Sequence, residues 1–598
     1  MKHLEAGIST VTTRQTKQRR IVALLFVCAV LLAIAQRLVT QCPQLRRSLT
    51  DGASVSSVRI ADVTYVGHRD STRQQIKYLG IPYASPPVHA LRFRPPIPYT
   101  PSSNKTSNVQ RAVEFGASCP QSTPVPYPIS EDCLTTNVWV PDVPRKLKAS
   151  LGEEIENRLP VLVWIYGGAF INGSTQKYPA DDLGKPVIVA SFNYRLGMFG
   201  FPLGAESAAS NARNLGLLDQ RLALEWIHTN IVKFGGDPSK ITIFGESAGS
   251  VSVGAQMSYR GGKTGNIFRG AIMQSGTPST TSTTILSKHT RQSAYDTLAE
   301  YLSCAVHSGS GPEFLLRESF ECVRRASSED LQSANWDVLK VPGELKGMDP
   351  APIAFGPAVH PNDLFFSDEP AKIARTHQFA NVPLIIGGTL DEGTDFVPSL
   401  NSTPFLFTYF SQTRPGLTFG IESPSAKRAL ERFIDRYPDD PAQGSPFGTG
   451  TELFGRERQT KRAAAMFGDW LFEAPRREFT REAVKAGLPH RSYQFSQPGY
   501  WPPEYGVGHF ADIQMIFRWF DDETPREMIE LSDIILSYWL NFVYYLDPNP
   551  KGSKLPEWSQ YGPDAKSLQL KIKNFTMIND DFRQDRIEWL MGQKQLYI

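Results

Sequence analysis

The sequence predicts an α/β architecture, a mostly parallel sheet covered by helices on both faces. Three observations carry that prediction. Residues 161–166 (Val-Leu-Val-Trp-Ile-Tyr) and 187–190 (Val-Ile-Val-Ala) are apolar throughout. They lack the in-and-out alternation of a strand wetted on one side and read as central strands buried on both faces. A shorter run, 241–244 (Ile-Thr-Ile-Phe), is broken only by one threonine. Between the last two runs Ala223, Ile227, Ile231 and Phe234 recur at spacings of four, four and three, ended by Gly235-Gly236-Asp237-Pro238. Strand, helix, strand means a parallel crossover.

Further along, residues 382–386 read as a short strand and 528–546 as a long helix ended by Asp547-Pro548. Residues 461–487 also carry a helical pattern, which Pro475 must kink or split because proline removes a backbone donor and crowds the preceding turn. No Pro/Ser-rich linker, charge block or repeat divides the chain, so residues 55–598 are expected to form one large domain preceded by a linker over 36–54. With 41% hydrophobic and 21% charged residues the chain can bury a large core beneath a soluble surface. The net charge of +3 and the lack of a Lys/Arg stripe interleaved with aromatics give no sign of a nucleic-acid partner.

The N-terminus is of another kind. Residues 1–20 are basic, with Lys2, Arg14, Lys17, Arg19 and Arg20, and residues 21–35 are unbroken apolar. Fifteen residues at a rise of about 1.5 Å give roughly 22 Å, short of a ~30 Å hydrocarbon core. Together with the small-x-small pattern Ala33-Ile34-Ala35 this reads as a cleaved secretory signal. The alternative is an uncleaved signal anchor, suggested by the long basic region ahead of it. That anchor would be the chain's one membrane contact, and either way the body faces an oxidising lumen.

Cysteine usage fits that compartment. Apart from Cys28 and Cys42, four cysteines remain, Cys119, Cys133, Cys304 and Cys322, in two local groups without the close spacings of a zinc site, so no metal is expected. Sequons at Asn104, Asn172, Asn401 and Asn574 are glycosylation candidates compatible with secretion.

Chemistry enters directly after the 241–244 strand, at Gly245-Glu246-Ser247-Ala248-Gly249, followed by the small-residue helix start Ser250-Val251-Ser252-Val253-Gly254-Ala255. This is the pattern of a nucleophile elbow. A serine at the tip of a sharp strand-to-helix turn has a strained backbone, and glycines two positions either side let neighbouring chain pass close. The turn aims the helix N-terminus and the Ala248 N–H at the place where an oxyanion develops. Upstream, the 161–166 strand runs into Gly167-Gly168-Ala169-Phe170, whose order fits the second half of an oxyanion hole.

On these residues the chain resembles the type B carboxylesterase and cholinesterase family of the α/β-hydrolase fold, and looks most like its secreted fungal members. The resemblance runs through Tyr78-Leu-Gly-Ile-Pro-Tyr-Ala84, Ser130-Glu-Asp-Cys-Leu-Thr-Thr-Asn-Val138, Asn193-Tyr-Arg-Leu-Gly197, Asp219-Gln-Arg221, Phe234-Gly-Gly-Asp-Pro238 and Gly245-Glu-Ser-Ala-Gly249. It extends to Asp391-Glu-Gly393 and His509, covering nearly everything after residue 55.

The resemblance assigns what spacing leaves open. It implies Ser247 as nucleophile, His509 in Gly506-Val-Gly-His-Phe510 as general base, and Glu392 as the acid of the triad. The residues alone do not separate Glu392 from its neighbours Asp391 and Asp395. Gly168, Ala169 and Ala248 match the oxyanion donors, with Ala169 in place of a commoner third glycine. The family pattern also pairs Cys119 with Cys133 and Cys304 with Cys322, and suggests ion pairs of Arg92 with Glu131 and Arg195 with Asp219. Glu246 is open between electrostatic support of the site and packing.

The implied reaction is hydrolysis of a small-molecule carboxylic ester through an acyl-enzyme, with no cofactor. A neutral histidine base implies a rate rising through an ionisation near ~6.5. Two other readings stand beside it: a lipase of the same family, and a silent cell-surface binding protein of the kind that has lost the nucleophile. Cholinesterase fits poorly, since residues 120–132 hold no tryptophan for a quaternary ammonium. Only 13 residues lie between Cys119 and Cys133, four of them Pro120, Pro124, Pro126 and Pro128, which oppose an amphipathic lid helix. Dissolved short- or medium-chain esters are therefore the expected substrates.

Overall fold

In the computed structural model of the chain the apolar runs become adjacent strands of one twisted sheet. The structure describes residues 56–101, 108–121, 124–142, 158–181, 186–280, 289–305, 313–338, 355–412, 423–499, 502–549, 552, 555–593 and 596. The basic, apolar and linker segments of the N-terminus, with Cys28, Cys42 and the sequon at Asn104, lie outside the described residues. So do Ser122 and Thr123 of the proline-rich loop. Residues Ser56–Ile598 make one compact unit.

In chain order the strands are β1 (Ser57–Ile60), β2 (Val63–Asp70), β3 (Gln75–Pro82), β4 (Val109–Ala112), β5 (Thr135–Pro141), β6 (Leu159–Ile165) and β7 (Ile188–Phe192). After them come β8 (Gly236–Glu246), β9 (Gly270–Gln274), β10 (Leu384–Thr389), β11 (His490–Phe495), β12 (Lys566–Leu570) and β13 (Thr576–Asn579). Side by side they run β1-β2-β3-β5-β7-β6-β8-β9-β10-β11-β12-β13, with β4 on β2. Every neighbouring pair from β7 through β12 is parallel. The N-terminal strands β1, β2, β3 and β5 and the last strand β13 pair antiparallel.

The centre of the sheet is where the sequence is most apolar, because both faces of a parallel sheet are covered. Val163 on β6 sits beside Ala190 on β7 and Ile243 on β8, and all three are buried. The crossover from β7 to β8 passes through helix α1 (Leu215–Asn230), which buries Ala223, Leu224 and Ile227. A short 3-10 turn, Ile231–Phe234, closes it, and Gly235 at φ 86° reverses the chain into β8. The crossover steps over β6, so β7 and β8 flank it. The next helix, α2 (Ala248–Ser258), begins two residues after β8 and is buried along its whole length.

The helical segment around Pro475 is split as the proline requires. Helix α3 (Thr460–Gly468) runs into a π turn, Asp469–Glu473, and then into α4 (Ala474–Lys485) with the proline in its first turn. The wider π turn takes up the ring and the missing N–H without a break. The long C-terminal helix spans α5 (Arg526–Tyr545). A second apolar cluster, separate from the sheet core, gathers Phe410, Phe433, Phe467, Trp470 and Phe472, the last two supplied by the π turn.

Disulfides join Cys119 to Cys133 and Cys304 to Cys322. Two buried ion pairs brace the connecting segments, one between two loops and one between a loop and α1. Arg92 donates to both carboxylate oxygens of Glu131 at 2.6 and 2.7 Å, and Arg195 to both of Asp219 at 2.7 Å. Asn401 and Asn574 are exposed, whereas Asn172 is half-buried beside the Gly168 turn. Among the described residues no helix is long and apolar enough to cross a membrane.

Candidate active site

Ser247 stands between β8 and α2 with φ 57° and ψ −126°, a backbone conformation that L-residues avoid. Three contacts hold it there. Its N–H donates to Gln274 O at 2.9 Å, its carbonyl accepts from Val251 N at 2.9 Å, and the glycines two residues away permit close approach. A Cβ on Gly249 would lie 2.0 Å from Ile165 O, and one on Gly245 would lie 2.5 Å from the Gly249 backbone. The strain at Ser247 is thus imposed by packing of the elbow against β6.

The turn after β6 is also strained. Gly168, Ala169 and Phe170 have φ of 104°, 56° and 61°, and Gly168 O accepts from Ile171 N and Asn172 N at 3.0 and 2.9 Å. A turn folded on its own carbonyl leaves its leading N–H groups unused. Among the described residues nothing accepts from the N–H of Gly168, Ala169 or Ala248. Free amide donors beside a strained serine are what a developing oxyanion needs.

Glu392 and His509 come from two loops that are locked together. Asp391 N donates to Val507 O at 3.0 Å, and the Asp391 carboxylate accepts from Val507 N at 2.9 Å, Ser445 Oγ at 2.7 Å and Phe447 N at 2.8 Å. Thr394 Oγ1 donates to Tyr505 O at 2.8 Å. Asp395 accepts from the backbone N–H of His509 and is pushed up to about 6 by burial, against the pull of His509. The two aspartates therefore set the loop, and Glu392 is the carboxylate that meets the imidazole. Its Oε1 accepts from Thr389 N at 2.8 Å and its Oε2 lies 2.5 Å from His509 Nδ1. Rings of Phe472 and Phe396 pack on the imidazole at 4.6 and 5.0 Å.

The other ring nitrogen faces the elbow. His509 Nε2 is 3.1 Å from Glu246 Oε1, inside ion-pair range, yet the angle makes no hydrogen bond and both atoms are buried without a partner. Ser247 Oγ is likewise not bonded to His509 among the described groups. Burial pushes the Glu246 carboxyl up to about 8, partly offset by His509. For His509 burial acts downward, but Glu246, Glu392 and Asp395 outweigh it and raise the imidazole to about 9.

Sequence reading missed Asp512, which is buried, accepts from Gln274 Nε2 at 2.9 Å and Tyr493 OH at 2.6 Å, and lies close enough to act on both His509 and Glu246. Its only sequence signal is its place one helical turn after His509. Among the described residues no cluster of three or more His, Cys, Asp or Glu side chains is placed to hold a metal ion.

Known proteins are similar over nearly the whole unit. Residues 62–589 match the profile described as the Carboxylesterase family. Lipase 1 of Geotrichum candidum is 34% identical over 85% of this chain and 91% of its own. Secreted lipase 1 of Botryotinia fuckeliana is 33% identical over 91% and 94%, and a secreted triacylglycerol lipase of Gibberella zeae is 33% identical over 91% of each. The crystal structure of Aspergillus niger EstA superposes with a TM-score of 0.75 at 25% identity, covering 91% of this chain and 99% of that one.

Proposed function

The chain belongs to the carboxylesterase family and is a carboxylic-ester hydrolase with a serine nucleophile, and on that premise we propose that Ser247, His509 and Glu392 carry the reaction. The observation that supports it most is the placing of one imidazole, with Glu392 on Nδ1 and the Ser247 elbow on the side of Nε2. In this reading neutral His509 takes the Ser247 proton as Oγ attacks the ester carbonyl. Glu392 holds the ring's tautomer and stabilises the cation that forms. The N–H groups of Gly168, Ala169 and Ala248 receive the oxyanion. The imidazolium then gives its proton to the departing alcohol, and water activated by the same histidine releases the acid and restores Ser247.

Labelling with a fluorophosphonate probe tests this. The native protein is expected to react at Ser247, and Ser247→Ala to lose both label and turnover by ~10⁴-fold or more. Substantial turnover in pure Ser247→Ala protein, or a native protein that takes no label, would sink the assignment and favour a silent binding role.

For substrate we infer dissolved short- or medium-chain esters. The Cys119–Cys133 loop supports this, because it is tied down towards both of its ends. Ser118 N donates to Pro128 O at 2.8 Å, Ser130 N to Ser118 O at 3.0 Å, and Gly173 N to Gln121 Oε1 at 3.0 Å. A short, tied, proline-rich loop is ill suited to opening over a wide apolar cleft. The names of the fungal relatives favour the second reading, a lipase. Rate against substrate concentration across the solubility limit decides between them: a smooth curve supports the esterase, and a jump when an emulsion forms supports the lipase. The two relatives called secreted support a secretory destination.

A further inference from the structure

Lys177 closes the short 3-10 turn Thr175–Lys177, a few residues beyond the Gly168 turn, where Ser174 Oγ caps the turn by accepting from Gln176 N at 3.3 Å. Its ammonium lies 4.9 Å from the centre of the Phe510 ring and 5.7 Å from that of Tyr178. Phe510 directly follows His509, and its ring packs on that of Tyr178 with centroids 6.2 Å apart. The charge is therefore carried on aromatic faces beside the candidate base, and among the described residues it forms no ion pair or hydrogen bond.

Two further facts separate it from an ordinary surface lysine. Its side chain reaches solvent, yet the packed protein beneath desolvates it enough to lower its pKa, with Glu246 pulling the other way. Glu246 also does not neutralise it at contact range. That carboxyl is buried beside Ser247, close to His509, and burial favours its protonated form. A cation held against rings on one side and open to solvent on the other can meet an anion without leaving those rings.

We propose that Lys177 is a specificity-determining residue that pairs with an ionised carboxylate carried by the substrate near its scissile ester, so that half-esters of dicarboxylic acids or esters of hydroxy acids are preferred over uncharged esters. The inference rests on the assignment of Ser247, His509 and Glu392 above. It names a substrate class that the apolar rings of Phe396 and Phe472 alone would not select.

Two pairs of esters test it, one for each side of the bond. Monoethyl glutarate and its uncharged isostere ethyl 5-methylhexanoate place the anion in the acyl group. The pair 4-acetoxybutanoate and 4-methylpentyl acetate places it in the alcohol. The native protein is expected to give a higher kcat/KM for the anionic member of at least one pair. Lys177→Met, which keeps the apolar contact with Phe510, is expected to cut that ratio by roughly 10- to 100-fold, the effect of one hydrogen bond to a charged group. Lys177→Arg is expected to keep most of it, and added salt to shrink it in the native protein without any variant. A native ratio insensitive both to salt and to Lys177→Met would overturn the proposal. So would uncharged esters being preferred in both pairs. If the native protein cleaves none of the four esters and takes no fluorophosphonate, the assignment of Ser247 falls and this proposal with it. Labelling and cleavage without discrimination sink only the role of Lys177.

Discussion

His509 Nε2 and Glu246 Oε1 face each other 3.1 Å apart without a hydrogen bond, and Glu246 is the residue immediately before Ser247. A buried acid thus shares the imidazole with Glu392, and the histidine is no longer the free base that its sequence context suggests.

This relationship is expected to move the pH profile of the proposed reaction. Burial alone would lower the imidazole, but Glu246, Glu392 and Asp395 raise it to about 9, so its protonated form persists above the ~6.5 of a free histidine. In the proposed mechanism only the neutral ring accepts the Ser247 proton, so kcat/KM is expected to keep rising through pH 7 and level off on the alkaline side. Glu246→Gln removes one of the carboxylates and is expected to shift that limb downward. A limb centred near 6.5 in the native protein, unmoved by the glutamine, would contradict the electrostatic role of Glu246.

Glu392→Gln is expected to lower kcat by about 10³- to 10⁴-fold, because an amide at 2.5 Å from Nδ1 favours the wrong tautomer. Asp395→Asn is expected to cost roughly tenfold or less, since Asp395 accepts from the His509 backbone rather than from the ring. Kinetics on the two variants side by side reverse the assignment if the asparagine variant is the crippled one.

Gly249→Ala is expected to damage the protein more than Ser247→Ala does. The added Cβ would stand 2.0 Å from Ile165 O, a backbone atom in the central strand, so either β6 or the elbow must shift. Thermal unfolding and fluorophosphonate labelling should both suffer. A Gly249→Ala protein that is stable and labels normally would show that the elbow is not held by this contact.

Asp580 is expected to make the native state acid-sensitive. It accepts from Arg476 at 2.6 and 2.9 Å, from Arg477 at 3.0 Å and from Tyr561 at 2.9 Å, all of them buried or nearly so. Burial raises its pKa, but the two guanidiniums outweigh this and lower it to about 2. A carboxylate held below its unfolded value of ~3.9 contributes stability that is present above pH ~4 and lost as pH falls towards ~2. Asp580→Asn is expected to lose about 3 kcal/mol at pH 7, measured by urea unfolding, and the gap from the native protein to narrow over that acid window. A gap constant from pH 7 to pH 2 would show that the charge of Asp580 is not what stabilises the native state.

The central strands were legible because burial on both faces leaves an unbroken apolar run, as in β6 and β7. The antiparallel strands β1 to β3 are less legible: β2 turns polar after Val63-Thr64-Tyr65-Val66, through Gly67, His68, Arg69 and Asp70, and buries only Val63 and Tyr65. Strands β11 and β12 were missed for a similar reason. His490-Arg491-Ser492 carries polar side chains that the structure buries by pairing them, Arg491 with Trp558 O and Ser492 Oγ with Ser567 Oγ.

At the site the sequence by itself determined the elbow, since a strand, a Gly-x-Ser-x-Gly turn and a small-residue helix start are local and adjacent in the chain. It also determined where a helix must accommodate Pro475. Only the tertiary structure decided what faces His509, because the choice among Asp391, Glu392 and Asp395 depends on how two loops 117 residues apart are clamped. Adjacent carboxylates are alike in sequence. They differ once the chain is folded, when one is taken up by backbone donors of a neighbouring loop, one by the histidine's own N–H, and one is left to meet the ring.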